Sequence, residues 1–307
     1  MNFMPIFQSL FTLGLISGVG IISRKTNIFK ADDAKVLSGF VYHFGLPALF
    51  LVKIARFDAT ALEASLVWGS LLPPLIILLC LILLRLLRVI SKDLLAILGI
   101  TVVFGSNAFF GVPFFESLYG SWGLENAVVT AAILGTFGIV VSQFLFSYAT
   151  HKGNFLSLLL NVARSPLIIS VLLGVVFSVL KLEVPVLFDA LELIGKTTSG
   201  TAIFVLGMFI CDNFSFAVIK KAFAFTLGRV LLLPVVTYLV ILLLRSPHSQ
   251  LNSFLLMQSG IPAAVSTGIM AERFNYKPRE LTGVVILSSL FSFFLLLTLY
   301  AISAAVF

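Results

Sequence analysis

Two stretches of this chain carry residues suited to hold a ligand inside an apolar environment. The first reads Phe104-Gly-Ser-Asn-Ala-Phe-Phe-Gly-Val-Pro113 and the second Gln258-Ser-Gly-Ile-Pro-Ala-Ala-Val-Ser-Thr-Gly268. Pro113 withholds a backbone donor and crowds the carbonyl four residues earlier. Gly105 and Gly111 each weaken a helix by about 1 kcal/mol relative to Ala. Pro262 follows a similar Gly-x spacing, so both helices are expected to break. The new half-helices should start near Phe109–Gly111 and near Pro262–Ala264. Each such start carries about half a positive charge and unpaired N–H groups. Two of them side by side hold a carboxylate without needing a lysine. Ser106, Asn107, Gln258, Ser259, Ser266 and Thr267 stand beside the breaks with hydrogen-bonding groups. With Gly111, Pro113 and Pro262 they form the expected substrate site. The ordinary alternatives are a simple proline kink and polar glue between helices. No carboxylate lies within the crossing, and neither a metal site nor a cofactor is expected.

These stretches sit within a chain of 307 residues that is 60% hydrophobic and 11% charged. A soluble chain averages roughly 25% charged residues, so there is too little polar surface here to cover a water-soluble globule. A soluble enzyme, a secreted disulfide scaffold and a disordered chain are excluded. Apolar runs occur at 3–23, 36–55, 62–87, 94–118, 124–148, 166–180, 196–212, 219–244, 251–273 and 280–304. Most are near the length of about 20 residues that a bilayer-spanning helix needs. They lack the ten-residue alternation of a barrel strand. The sixth and seventh are shorter, and Lys181–Lys196 could extend either. The first run has no basic leader and is followed by Arg24 and Lys25, so it reads as a retained span rather than a signal peptide.

The net charge of +7 does not indicate nucleic acid. Its basic residues fall in short gaps between apolar runs, not on one soluble face. Odd-numbered gaps hold fourteen Lys and Arg, even-numbered gaps five. That bias puts the odd gaps in the cytoplasm and both termini outside. Cys80 and Cys211 lie inside apolar runs and imply neither a disulfide nor a metal site.

The candidate linker 151–165 divides the chain into residues 1–150 and 166–307, each with five runs. An odd number of spans per half makes any repeat an inverted one. Pro73-Pro74 and Pro234 occur in the third and eighth runs, the two Gly/Pro breaks in the fourth and ninth, and Glu116 and Glu272 just after those breaks. Interrupted spans at corresponding positions of two halves point to a transporter's binding site. Glu116, Glu272 and Arg229 are ionisable groups at membrane depth and are expected in coupling or gating. Arg229 needs a partner or a water-filled vestibule, and Glu272 is one candidate partner. Lys53 and Asp212 read as interfacial residues, and His43 as a structural hydrogen-bonding group. No zinc-protease motif, intramembrane catalytic set or nucleotide-binding loop occurs, so the chain is not expected to be an enzyme.

Phe44-Gly-Leu-Pro-Ala-Leu-Phe50, Ser106-Asn-Ala-Phe-Phe-Gly-Val-Pro113, and Ile261-Pro-Ala-Ala-Val-Ser-Thr267 followed by Ala271-Glu-Arg273 resemble the auxin efflux carrier family. The resemblance covers essentially the whole chain. It implies an all-α membrane protein of ten transmembrane helices in two inverted five-helix repeats, with helices 4 and 9 broken and crossed. Sodium/proton antiporters and bile-acid symporters are similar. It further implies a scaffold of spans 1, 2, 6 and 7, a moving unit of spans 3–5 and 8–10, and a homodimer. The implied function is elevator-type transport of a small organic anion, a carboxylate or dicarboxylate, across the inner (plasma) membrane. Plant members export an aromatic carboxylate, and bacterial members are linked to malate or malonate. This chain lacks the long hydrophilic central loop of many plant members and looks like a bacterial permease. The alternatives are a sodium-coupled symporter of bile-acid type and a channel or sensor on the same fold. With no carboxylate in the crossing, proton coupling or uniport is favoured over sodium.

Overall fold

A computed structural model describes residues 4–57, 63–150, 163–213, 215–244 and 248–307. Among these residues all the regular elements are helical. They are α1 (Met4–Lys25), α2 (Ala31–Phe40), α3 (Leu46–Ala55), α4 (Ala64–Leu86), α5 (Lys92–Val103), α6 (Val112–Thr150), α7 (Pro166–Val179), α8 (Pro185–Lys196), α9 (Thr198–Asn213), α10 (Phe216–Leu244), α11 (Ser249–Ser259), α12 (Val265–Arg273) and α13 (Pro278–Val306).

Among the described residues, seven stretches are long and apolar enough to cross a membrane: Met4–Lys25, Asp32–Ala55, Ala64–Leu86, Asn107–Thr150, Pro185–Asp212, Ala222–Leu244 and Pro278–Val306. The other apolar runs take different forms. The fourth is divided between α5 and the start of α6, and the ninth between α11 and α12. The sixth is the 14-residue α7. Of Lys181–Lys196, the part from Pro185 forms α8 and extends the seventh run, as the single stretch Pro185–Asp212. Within α6, Gly120 has φ 64° and ψ −142°. Only glycine adopts that backbone freely, and it separates the fourth run from the fifth. Most of the expected linker, 151–162, lies outside the described residues.

Prolines act differently by context. Pro73 and Pro74 lie inside a continuous α4, and Pro234 inside a continuous α10. Pro47 and Pro113 each follow a widened turn, Val41–Gly45 and Asn107–Gly111. There the Leu46 N–H reaches back to the Val41 carbonyl and the Val112 N–H to the Asn107 carbonyl. A proline ring collides with the carbonyl four residues earlier, and a fifth residue in the turn moves that carbonyl aside. Both places read Phe-Gly-x-Pro, at Phe44–Pro47 and Phe110–Pro113.

The helices pack as two groups. In one, α1 runs along α9, and α3 lies against α7 and α8. Small residues permit the approach: a Cβ on Gly20 would overlap the Phe204 carbonyl, and one on Gly207 the Ser17 carbonyl. In the other, α10 packs on α13 and α4, α5 on α6, and α12 on α13. Aromatic contacts fix the second group internally. The Phe115 ring lies 4.1 Å from that of Phe254, joining α6 to α11, and Phe146 stacks on Phe274 at 5.1 Å. The Tyr276 hydroxyl donates to Asp93 at 2.7 Å, tying the α12–α13 corner to the first turn of α5.

Candidate functional site

The two broken stretches meet backbone to backbone. α5 ends at Val103 because Phe104 is non-helical, at φ −110° and ψ 85°. Gly105 then pairs antiparallel with Ala263. The Ser106 N–H donates to the Pro262 carbonyl at 2.8 Å, and the Ala264 N–H to the Phe104 carbonyl at 2.9 Å. α13 supplies further partners. Ser288 accepts from the Ala263 N–H at 3.0 Å, and Ser292 donates to the Gly260 carbonyl at 2.8 Å. Non-helical backbone at membrane depth survives only when buried in protein or lining a wet cavity. Here each break satisfies the other.

The first new half-helix starts at Asn107, earlier than the expected Phe109–Gly111. The widened turn explains the difference, because the N–H groups of Phe110 and Gly111 both reach the Ser106 carbonyl, at 2.8 and 3.1 Å. Pro113 therefore lies after the break, at the beginning of α6. The second half-helix starts at Val265, one residue beyond the expected Pro262–Ala264. The crossing is tight at Gly111: a Cβ there would stand 2.8 Å from Ile261 Cδ1.

A cavity of about 580 Å³, part of it open to solvent, lies where the two helix groups meet. Phe50, Leu167 and Val171 line it from the first group, with Tyr42. Phe104–Phe109 and Ala264–Ser266 line it from the second, with Thr136 of α6. The residues lining it carry no charge. Its polar groups are those of Tyr42, Ser106, Asn107, Thr136, Ser266 and the backbone. The Tyr42 hydroxyl also pairs with Ser165 Oγ at 3.1 Å. First-turn N–H groups of both half-helices, which have no earlier carbonyl in their own helix, belong to residues of this wall.

A second cavity of about 360 Å³ shares Gly105 and Asn107 with the first. It is lined also by Ser70, Arg229, Thr237, Gln258 and Ser259. Ser70 donates to Gln258 Oε1 at 2.9 Å. Arg229 is 2% exposed. Its Nη1 donates to the carbonyls of Thr101 and Val102, and its Nη2 to those of Ile261, at 2.7 Å, and Pro262, at 3.2 Å. The first pair ends α5 and the second follows α11. Gly105 leaves room, since a Cβ there would lie 3.2 Å from Nη2. Among the described groups, the partners of Arg229 are these carbonyl oxygens. The Glu272 side chain lies outside what the structure describes.

The structure therefore gathers Ser106, Asn107 and Ser266 at the first cavity, and Asn107, Gln258, Ser259 and Arg229 at the second. Gly111 and Pro262 build the crossing itself. Thr267 donates to the carbonyl of Ala264, just before its own helix, at 2.7 Å. Glu116 lines neither cavity; it is exposed and accepts from Ser199 of α9 at 3.1 Å. Sequence reading missed Tyr42, Ser70, Thr136 and Thr237. Ser70 stands three residues before Pro73 and Tyr42 five before Pro47, so proximity to a proline was the available signal.

A family described as membrane transport protein matches residues 5–156 and 152–300. The chain belongs to this auxin-efflux-carrier-like family. Its relatives within and beyond bacteria are distant. The uncharacterized transporter YfdV of Escherichia coli is 24% identical over 289 residues, 89% of each chain. The uncharacterized transporter MJ1031 of Methanocaldococcus jannaschii is 22% identical, over 89% of this chain and 91% of its own. The lysosomal cholesterol signaling protein of Mus musculus is 24% identical over 95% of this chain, which spans only 37% of that protein's length. Family membership, transporter relatives and the apolar helices together make this a multi-pass membrane transport protein.

Proposed function

We propose that the chain is a secondary transporter carrying a small organic anion, with the carboxylate held in the larger cavity between the first turns of the two half-helices. The observation that carries this reading is the Gly105–Ala263 pairing, which puts residues of both first turns along one cavity wall. An uncharged cavity with two positive helix ends is selective for an anion without a fixed cation in its wall. Asn107, Ser106 and Ser266 add donors. Phe50, Phe104, Phe109, Ile139, Leu167 and Val171 suit an apolar body, favouring a monocarboxylate with a hydrocarbon or aromatic portion over a compact dicarboxylate.

Ten crossings follow when α2–α3 and α8–α9 each count as one, α6 as two about Gly120, and each broken pair as one. They form two inverted five-helix halves. α1, α2, α3, α7, α8 and α9 make the scaffold, and the other helices make the moving unit. The separate packing of the two groups, with the cavity at their seam, supports an elevator motion. Glu116 with Ser199, and Ser117 with Ser9 at 3.1 Å, bridge that seam and act as gating contacts; Glu272 matches Glu116 in the other half. The protein sits in the cell's inner (plasma) membrane as a homodimer, with both termini outside the cytoplasm. The test is uptake of labelled mono- and dicarboxylates by proteoliposomes, against the matching neutral amides. Saturable uptake of a carboxylate but not its amide is expected. Equal passage of both, at rates that never saturate, would favour a channel and overturn the reading.

A further inference from the structure

Arg229 holds an unusual position. Two helix C-termini, those of α5 and α11, converge on one guanidinium. Each end carries about half a negative charge, so together they present roughly one, with four carbonyls aimed inward. In transporters built from discontinuous helices, unwound carbonyls and half-helix C-terminal ends are where a coupling sodium ion binds. Here the guanidinium fills that place. Its planar fork donates from both terminal nitrogens, one to each helix end, a geometry that a compact ammonium does not reproduce. Its four described hydrogen bonds all run to carbonyls at these helix ends. Gly105 is the residue that admits it.

We propose that Arg229 is a resident cation standing in for a coupling sodium ion, so that anion transport by this chain needs no sodium. The proposal rests on the transporter reading above. It is tested without any anion, which keeps the two separable. Its consequence is that removing the side chain creates a sodium site. Arg229→Ala leaves four carbonyls around a vacated space that already adjoins the polar cavity of Ser70, Asn107 and Gln258.

The experiment uses the full chain in detergent. Melting temperature is followed in sodium, choline and dilute methylguanidinium chloride, alongside saturable binding of radioactive sodium. Wild type is expected to melt alike in sodium and choline and to bind no sodium saturably. Arg229→Ala should melt lower in choline, recover in both sodium and methylguanidinium, and bind sodium saturably. If Arg229→Ala aggregates in every salt, Arg229→Lys and Arg229→Gln decide. The lysine variant, which keeps the charge, should ignore sodium, and the glutamine variant should be stabilised by it. Saturable sodium binding by wild type, a folded alanine variant indifferent to every cation, or sodium dependence in the lysine variant would each overturn the proposal.

Discussion

Replacing Gly111 by Ala should weaken the crossing by an amount readable from its geometry. The new Cβ would lie 2.8 Å from Ile261 Cδ1, where carbon atoms prefer about 3.5–4.0 Å. Overpacking of this kind costs about 1–3 kcal/mol. The gain in helix preference from Gly to Ala, at most about 1 kcal/mol, offsets only part of it. The clashing atom is specific, because Ile261→Val removes Cδ1 alone. By itself that deletion should cost about 0.5–1.5 kcal/mol. In the double variant the valine makes room for the alanine. The pair should then couple favourably by about 0.5–3 kcal/mol, as contacting residues do. Thermal unfolding of wild type, both single variants and the double variant measures this, with Gly18→Ala as a control because a Cβ there meets nothing within 4 Å. Gly18→Ala should be neutral or stabilising. A double variant no more stable than the sum of the singles would show that these two residues do not meet, and the crossing as described would be wrong.

Asn107→Ala, checked for folding, should weaken carboxylate affinity roughly tenfold or more, since a hydrogen bond to a charged group is worth about 1.5–3 kcal/mol; unchanged affinity would remove Asn107 from the site. The Tyr276 hydroxyl, and then the Lys277 ammonium, hold the Asp93 carboxyl below its usual range. Its folded value lies below the unfolded value of about 3.9. The tie therefore contributes in full above that unfolded value and is lost as pH falls through the folded one. Tyr276→Phe should lower the melting temperature at neutral pH and leave the difference smaller in acid; a constant difference at all pH values would refute the linkage. A reporter active only in the cytoplasm, fused after Phe307, should stay dark, and a bright signal would reverse the topology.

Much of this arrangement was legible in the sequence because membrane burial imposes local rules. Long apolar runs mark helices, and Gly, Pro and polar residues interrupting them mark the breaks. The pairing of Gly105 with Ala263 was foreshadowed by two similar breaks in the two halves. The exact starts of the half-helices were not legible. They depend on the widened turn before Pro113, which is a response of the backbone to a clash rather than a property of composition. Arg229 showed the limit most plainly. Its position in an apolar run was visible, and with it the need for a partner or a water-filled vestibule. Carbonyls at helix ends carry no side-chain signature, and their convergence depends on how α5, α10 and α11 pack. The same holds for Tyr42 and Thr136, brought to the cavity from separate helices, and for Gly120, one glycine among 22 until its backbone angles are known.

The central claim is that a carboxylate rests on the two half-helix N-termini. An experimental structure of the protein with a transported carboxylate bound tests it most directly. The carboxyl group is expected within hydrogen-bonding distance of the backbone N–H groups of Asn107–Phe109 and Val265–Ser266, with its apolar body against Phe50 and Val171. Density for the anion elsewhere, or a carboxyl group turned away from both half-helix ends, would contradict the account.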